Sequence, residues 1–172
     1  GTDHFLIVSS QWAGMVKFPT QGQQGAQAFP GEEVETTWNT TLSGGEQFLT
    51  ATIGAMPGMN ASGQDSLLLG TSSGHVLGWD VHENGTVEER MNMQLSDSVH
   101  GLLLADCCSG GSNDLWLIEG DHLRIFMGSG LRELTRSLDV GGDADRISMA
   151  LHNIDNPNSD SDDAVLLMED NG

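Results

Sequence analysis

The sequence predicts an all-β fold made of small antiparallel sheets, and three observations predict it. An acidic residue followed by apolar strand formers recurs as Asp65-Ser66-Leu67-Leu68-Leu69-Gly70, Asp114-Leu115-Trp116-Leu117-Ile118 and Asp163-Ala164-Val165-Leu166-Leu167-Met168. The two intervals between these acidic residues are both 49 residues, a repeat length found in propeller blades and not in helical solenoids or leucine-rich repeats. Short strand patterns alternate with Gly-, Asn- and Ser-rich turns between the copies. No stretch carries sustained helical periodicity. The pattern is that of a β-propeller of four-stranded antiparallel blades. About three and a half blades are expected: the first over 1–45, the second over 46–97, the third over 98–145 and the start of a fourth over 146–172. A closed ring of four or more blades needs about 200 residues, so 172 residues read as part of a larger ring, entered and left in mid-blade.

Each element has a local reason. In the first unit, Phe5 to Ser9 and Met15 to Phe18 form a hairpin and Val34 to Trp38 an outer strand. An earlier copy of the repeated phrase begins at Asp3, 62 residues before Asp65, which leaves room for an insertion identified with the Gln/Gly-rich stretch Pro19 to Gly31. In the second unit, Phe48 to Met56 alternates and is rich in Thr and Ile, and the turn formers Pro57 to Gly63 follow. Ser66 to Thr71, the turn Ser72-Ser73-Gly74 and His75 to Val81 make a hairpin. Glu83-Asn84-Gly85 turns the chain again, because Asn-Gly tolerates positive φ, into an outer strand Thr86 to Leu95. The third unit repeats the order with Val99 to Asp106, Leu115 to Glu119, His122 to Met127 and Leu131 to Leu138. The fourth offers Ile147 to Ile154 and Val165 to Met168. The runs Leu67-Leu68-Leu69 and Leu102-Leu103-Leu104 do not alternate, which marks strands buried on both faces. Trp12, Trp38, Trp79 and Trp116 fall in or beside strands and are expected to pack between blades.

Six Lys and Arg against 25 Asp and Glu give a formal charge of −19, which repels phosphate backbones and anionic lipid and argues against nucleic-acid partners and membrane surfaces. No apolar run approaches the length of a membrane span. Cys107 and Cys108 are adjacent and offer no disulfide framework, which favours a reducing compartment. Three sequons, at Asn39, Asn60 and Asn84, point the other way and are read as accidents of loop composition.

The sequence holds one candidate metal loop. Asp155, Asn158, Asp160 and Asp162 present oxygen ligands at close spacing, as Ca²⁺ requires, in the place where integrin-like propellers carry calcium. The loop lacks the sharp-turn glycine, and Pro157 stiffens its approach, so a solvated acidic loop with no cofactor is the preferred reading. Cys107-Cys108 with His100 and His152 could suggest zinc or a thiol nucleophile, but adjacent cysteines fit structural zinc poorly. No base and orienting acid surround a nucleophile, and no Lys-bearing phosphate loop is present, so the chain is read as non-catalytic.

The order of features resembles the amino-terminal β-propeller of the Bardet–Biedl syndrome 2 family, a subunit of the BBSome, the coat-like complex that carries membrane proteins into and out of cilia. The likeness is carried by Asp65-Ser66-Leu67-Leu68-Leu69-Gly70-Thr71 followed by Val76-Leu77-Gly78-Trp79-Asp80-Val81, by Leu115 to Gly120 with Leu123-Arg124-Ile125-Phe126, and by Met149-Ala150-Leu151 with Asp163 to Asp170. The opening Gly1-Thr2 and the Phe5-to-Phe18 hairpin also have counterparts, and the likeness spans most of the chain apart from the Gln/Gly stretch. The resemblance implies roughly the first half of a seven-bladed propeller, acting as a scaffold through protein–protein contact. It implies cytoplasmic, ciliary and basal-body locations, with other BBSome subunits as partners, the related Bardet–Biedl syndrome 7 protein above all, and ciliary membrane proteins as cargo. Direct membrane insertion is not expected, and the isolated chain is expected to self-associate through raw blade faces. The rival expectation is an extracellular calcium-binding adhesion or lectin-like propeller of the integrin type, glycosylated at the three sequons.

Overall fold

The structure is a computed structural model that describes residues 4–17, 35–56, 65–82, 86–105, 113–127, 131–133, 138–139, 147–153 and 163–169; for residues 138–139, 147–153 and 163–169 the description is of the backbone. All regular structure among them is β. A first sheet holds β1 (His4–Val8), β2 (Trp12–Lys17) and β3 (Glu35–Thr41). A second holds β4 (Phe48–Ala55), β5 (Asp65–Thr71), β6 (His75–Val81) and β7 (Val87–Gln94). The third holds β8 (Val99–Ala105), β9 (Asp114–Glu119) and β10 (His122–Met127), with β11 (Arg132–Glu133) and β12 (Leu138–Asp139) beside opposite ends of β10. Finally, β13 (Ile147–Asn153) pairs with β14 (Asp163–Glu169). Each pairing is antiparallel, and the strands of each sheet follow chain order except that β12 pairs with β10 and not with β11.

The strands fall where alternation and β-branching placed them, with adjustments at the ends. The second strand of the opening hairpin begins at Trp12 rather than Met15. The outer strand expected over Leu131 to Leu138 is present as the two short pieces β11 and β12. The Gln/Gly-rich stretch and the Pro57 to Gly63 loop lie outside the described residues.

The second sheet is covered on both faces. Leu67, Leu69, Trp79 and Phe48 pack with Ala13, Leu6 and Trp38 of the first sheet. On the opposite face Leu68, Val76 and Met91 pack with Val99, Leu102, Leu104, Leu115, Leu117 and Phe126 of the third. Trp38 meets Trp79 edge-on at 5.0 Å and 63°, which confirms the expected packing role for these two indoles between sheets. The first strands lie against one another: β4 neighbours β8, and β8 neighbours β13.

Register corrects the spacing read from sequence. Bulges between Phe48 and Thr50 and between Val99 and Gly101 break the first pairing of the second and third sheets at the same place, opposite Thr71 and Glu119 respectively. Matching the bulges aligns Leu67 and Leu69 with Leu115 and Leu117, an interval of 48 residues, one short of the interval between the acidic residues. The difference decides which way every side chain points, because a one-residue slip in a strand exchanges its two faces. With the shorter interval, both leucine pairs face the preceding sheet, as their packing partners require.

Candidate functional site

Among the described residues, a cluster of charged side chains lies where the third sheet meets the chain arriving from the second. The β9–β10 hairpin closes on Gly120 and Asp121, and Gly120 takes φ +54°, a left-handed geometry that glycine adopts without strain. A Cβ on Gly120 would come within 2.9 Å of Asp97 Oδ2, so glycine leaves room for that carboxylate beside the turn. The backbone N–H of Gly120 donates to Ser98 O at 2.9 Å. In the second sheet Ser72 N–H makes the corresponding bond to Gln47 O at 2.8 Å.

Glu119, at the end of β9, is buried and fully engaged. Its Oε1 accepts the backbone N–H groups of Ser96 at 2.6 Å and Asp97 at 3.1 Å, and its Oε2 is paired with Arg124. Arg124 also donates from Nε and Nη2 to the two oxygens of Glu133, at 2.7 and 2.8 Å, in a forked geometry that a lysine could not reproduce. Its guanidinium stands 5.3 Å from the centre of the Phe126 ring. Arg124 holds the Glu133 carboxyl below the usual carboxylate range, and Glu133, followed by Glu119, pushes the guanidinium further above its ordinary value. These groups, with Ser96, Asp97, Asp121 and His122, line an open cleft of about 440 Å³. His122 and Asp121 are paired beside it.

A second buried carboxylate stabilises the opposite end of β6. Asp80 accepts from Ser66 Oγ at 3.3 Å and from Arg90 Nε at 3.1 Å, while Arg90 Nη2 reaches Glu88 at 2.9 Å. At the Ser72–Gly74 turn, Ser73 donates to Glu46 and, with smaller contributions from Thr71 and His75, holds that carboxyl below its ordinary value.

Chemically, these arrangements hold backbone segments together. Ser98 Oγ lies 2.7 Å from His100 Nε2, and Asp97 Oδ1 accepts both the backbone N–H and the hydroxyl of Ser98. Among the described residues no group of three or more His, Cys, Asp or Glu is placed to hold a metal ion, and no helix is long and apolar enough to cross a membrane.

The candidate calcium residues Asp155, Asn158, Asp160 and Asp162 lie outside the described residues, as do Cys107, Cys108, Asn60 and Asn84. His100 stands on β8, Asn39 on β3 and His152 on β13. The Glu119–Arg124–Glu133 cluster escaped the sequence reading. Its signal was scarcity: in a chain with six basic residues, an arginine inside an apolar strand needs acidic partners.

Comparison with protein-family models, with curated proteins and with solved structures finds no match.

Proposed function

We propose that this chain is a run of β-propeller blades serving as a non-catalytic protein-interaction scaffold, and that its setting is the BBSome-type coat that moves membrane-protein cargo to and from cilia. One observation carries the architecture. The sheets repeat along the chain, the first strand β8 neighbours both β4 and β13, and matched residues bury the same face in the second and third sheets. Four-stranded antiparallel sheets with adjacent inner strands are how a propeller is built. The ciliary setting rests on the sequence resemblance alone.

Scaffolding fits the chemistry as well. The buried carboxylates of Asp80 and Glu119 are satisfied by backbone N–H groups, a hydroxyl or arginine, so their role is to fix loops and strand ends. On this reading the partners are other subunits of the coat, the Bardet–Biedl syndrome 7 protein among them, and the protein resides in the cytoplasm, at the basal body and at the ciliary membrane.

Affinity purification of the full-length protein from ciliated cells, followed by mass spectrometry, tests this. Co-purification of coat subunits in stoichiometric amounts is expected. Recovery instead of a glycosylated, calcium-loaded surface protein would overturn the proposal in favour of an adhesion propeller.

A further inference from the structure

The connection from β3 to β4 is the joint between the first two sheets. Leu42 N–H donates to Gln11 O at 3.0 Å and Phe48 N–H to Ser10 O at 2.7 Å, so both ends of the connection are bonded to the β1–β2 turn. Toward the second sheet, Gln47 N–H donates to Ser72 Oγ at 2.9 Å, Ser72 N–H donates to Gln47 O at 2.8 Å, and Ser73 donates to Glu46. Between these attachments the chain makes one tight turn, Ser43-Gly44-Gly45-Glu46, closed by a hydrogen bond from Glu46 N–H to Ser43 O at 3.3 Å. Both central glycines take positive φ, +70° and +84°, as a type I′ turn requires, and a Cβ on either would meet nothing within 4 Å. The turn therefore stands clear of the sheets. Ser43 is exposed, and among the described residues none hydrogen-bonds its hydroxyl.

An acidic residue three positions after a serine or threonine is also the phrase that caps a helix, but here the strand β4 follows. Among the described residues the spacing occurs twice, at Ser43–Glu46 and Thr86–Glu89. In the second copy Val87 and Glu89 are already paired with Val81 and Trp79, so that stretch is held in a ladder. Only the first copy lies on an open turn. Glu46 also remains legible as a charge, because Ser73 engages its Oε1 and holds the carboxyl ionised.

We propose that Ser43 is a phosphorylation site for an acid-directed protein kinase, one that reads the Glu46 carboxylate through a basic subsite, and that the phosphate unfastens the joint between the first two sheets. Charge patterns of this kind are how kinases select substrates. In the transfer, Ser43 Oγ bonds to the γ-phosphorus of ATP as the bond from that phosphorus to the β,γ-bridging oxygen breaks; the hydroxyl proton passes to the kinase's base and ADP leaves. The product carries a charge of about −1.5 to −2 at one corner of the turn, with Glu46 at the other, less than about 7 Å away between Cα atoms. Like charges so close drive Glu46 off Ser73, and with it goes the clasp beside the Gln47–Ser72 bonds. The inference goes beyond the scaffold reading and does not depend on the ciliary setting.

The test treats the 172-residue chain with ATP, Mg²⁺ and a kinase of the casein-kinase type, and maps phosphate by mass spectrometry. Phosphate on Ser43 is expected in the folded chain, and Glu46→Gln is expected to slow its appearance about tenfold or more. The Trp38–Trp79 exciton band in circular dichroism shows that Glu46→Gln and Ser43→Ala keep the first two sheets stacked. After phosphorylation, deuterium uptake at the Gln47 and Ser72 amides is expected to quicken about tenfold, while the Gly120 amide, which makes the corresponding bond in the third sheet, is unchanged. Ser43→Ala, treated alike, is expected to show no such change. Phosphate confined to other serines, or reaching Ser43 only in the urea-unfolded chain, overturns the site. Phosphate on Ser43 that leaves the Gln47 and Ser72 amides as slow as before overturns the release of the joint.

Discussion

Gly70 shows how narrowly single positions are set. A Cβ there would lie 2.7 Å from both Thr50 Cγ2 and Val99 Cγ1, two β-branched side chains that cannot swing away, so Gly70→Ala is expected to cost about 1–3 kcal/mol in urea unfolding. Arg124 offers a second test. Arg124→Met leaves the buried Glu119 carboxylate without its cation and is expected to destabilise by about 3 kcal/mol, while Glu133→Gln at the exposed side of the same cluster costs about 1 kcal/mol or less. Glu46 and Glu133 titrate below their ordinary values in the folded chain. Each therefore stabilises the fold above the unfolded carboxylate pKa of about 4.3 and loses that contribution as pH falls through its depressed folded value. Stability followed from pH 6 to about 3 is expected to decline across that lower range, and Glu133→Gln to flatten the decline.

Strands were legible in the residues because apolar alternation and turn formers act locally. Thr50, Thr52 and Ile53 announced β4, and Ser72-Ser73-Gly74 announced the hairpin into β6, where Gly74 takes φ +88°. Facing was not legible. Asp65 and Asp114 both open second strands, yet Leu68 and Leu117, placed alike after them, point to opposite sides of their sheets. The cause is that the acidic residue marks where a loop ends, whereas the bulge opposite Thr71 or Glu119 fixes the register, and the two landmarks differ by one residue. The Glu119 cluster was hidden for a related reason, since its partners Ser96, Asp97 and Glu133 come from separate parts of the chain. At this scale Trp38→Phe is expected to remove the exciton band with Trp79 and cost about 1 kcal/mol, while Trp12→Phe leaves the band intact.

Across the molecule, burial rises toward the second sheet and falls at the first. Leu67 and Leu69 are 1% and 0% exposed, Leu115 and Leu117 likewise 1% and 0%, whereas their register counterparts Phe5 and Ile7 are 51% and 47% exposed. Truncation should follow that gradient: Leu69→Ala and Leu117→Ala are expected to cost about 2–5 kcal/mol each, and Ile7→Ala about 0.5 kcal/mol or less, by thermal or chemical unfolding. The same asymmetry bears on how such a molecule comes apart. With β5 bonded to a strand on either side and roofed above and below, its amides can reach deuterium only when neighbours have already let go. Exchange should thus run inward, from β1 through β10 to β5, so that the clock of isotope uptake records how deeply each ribbon is nested.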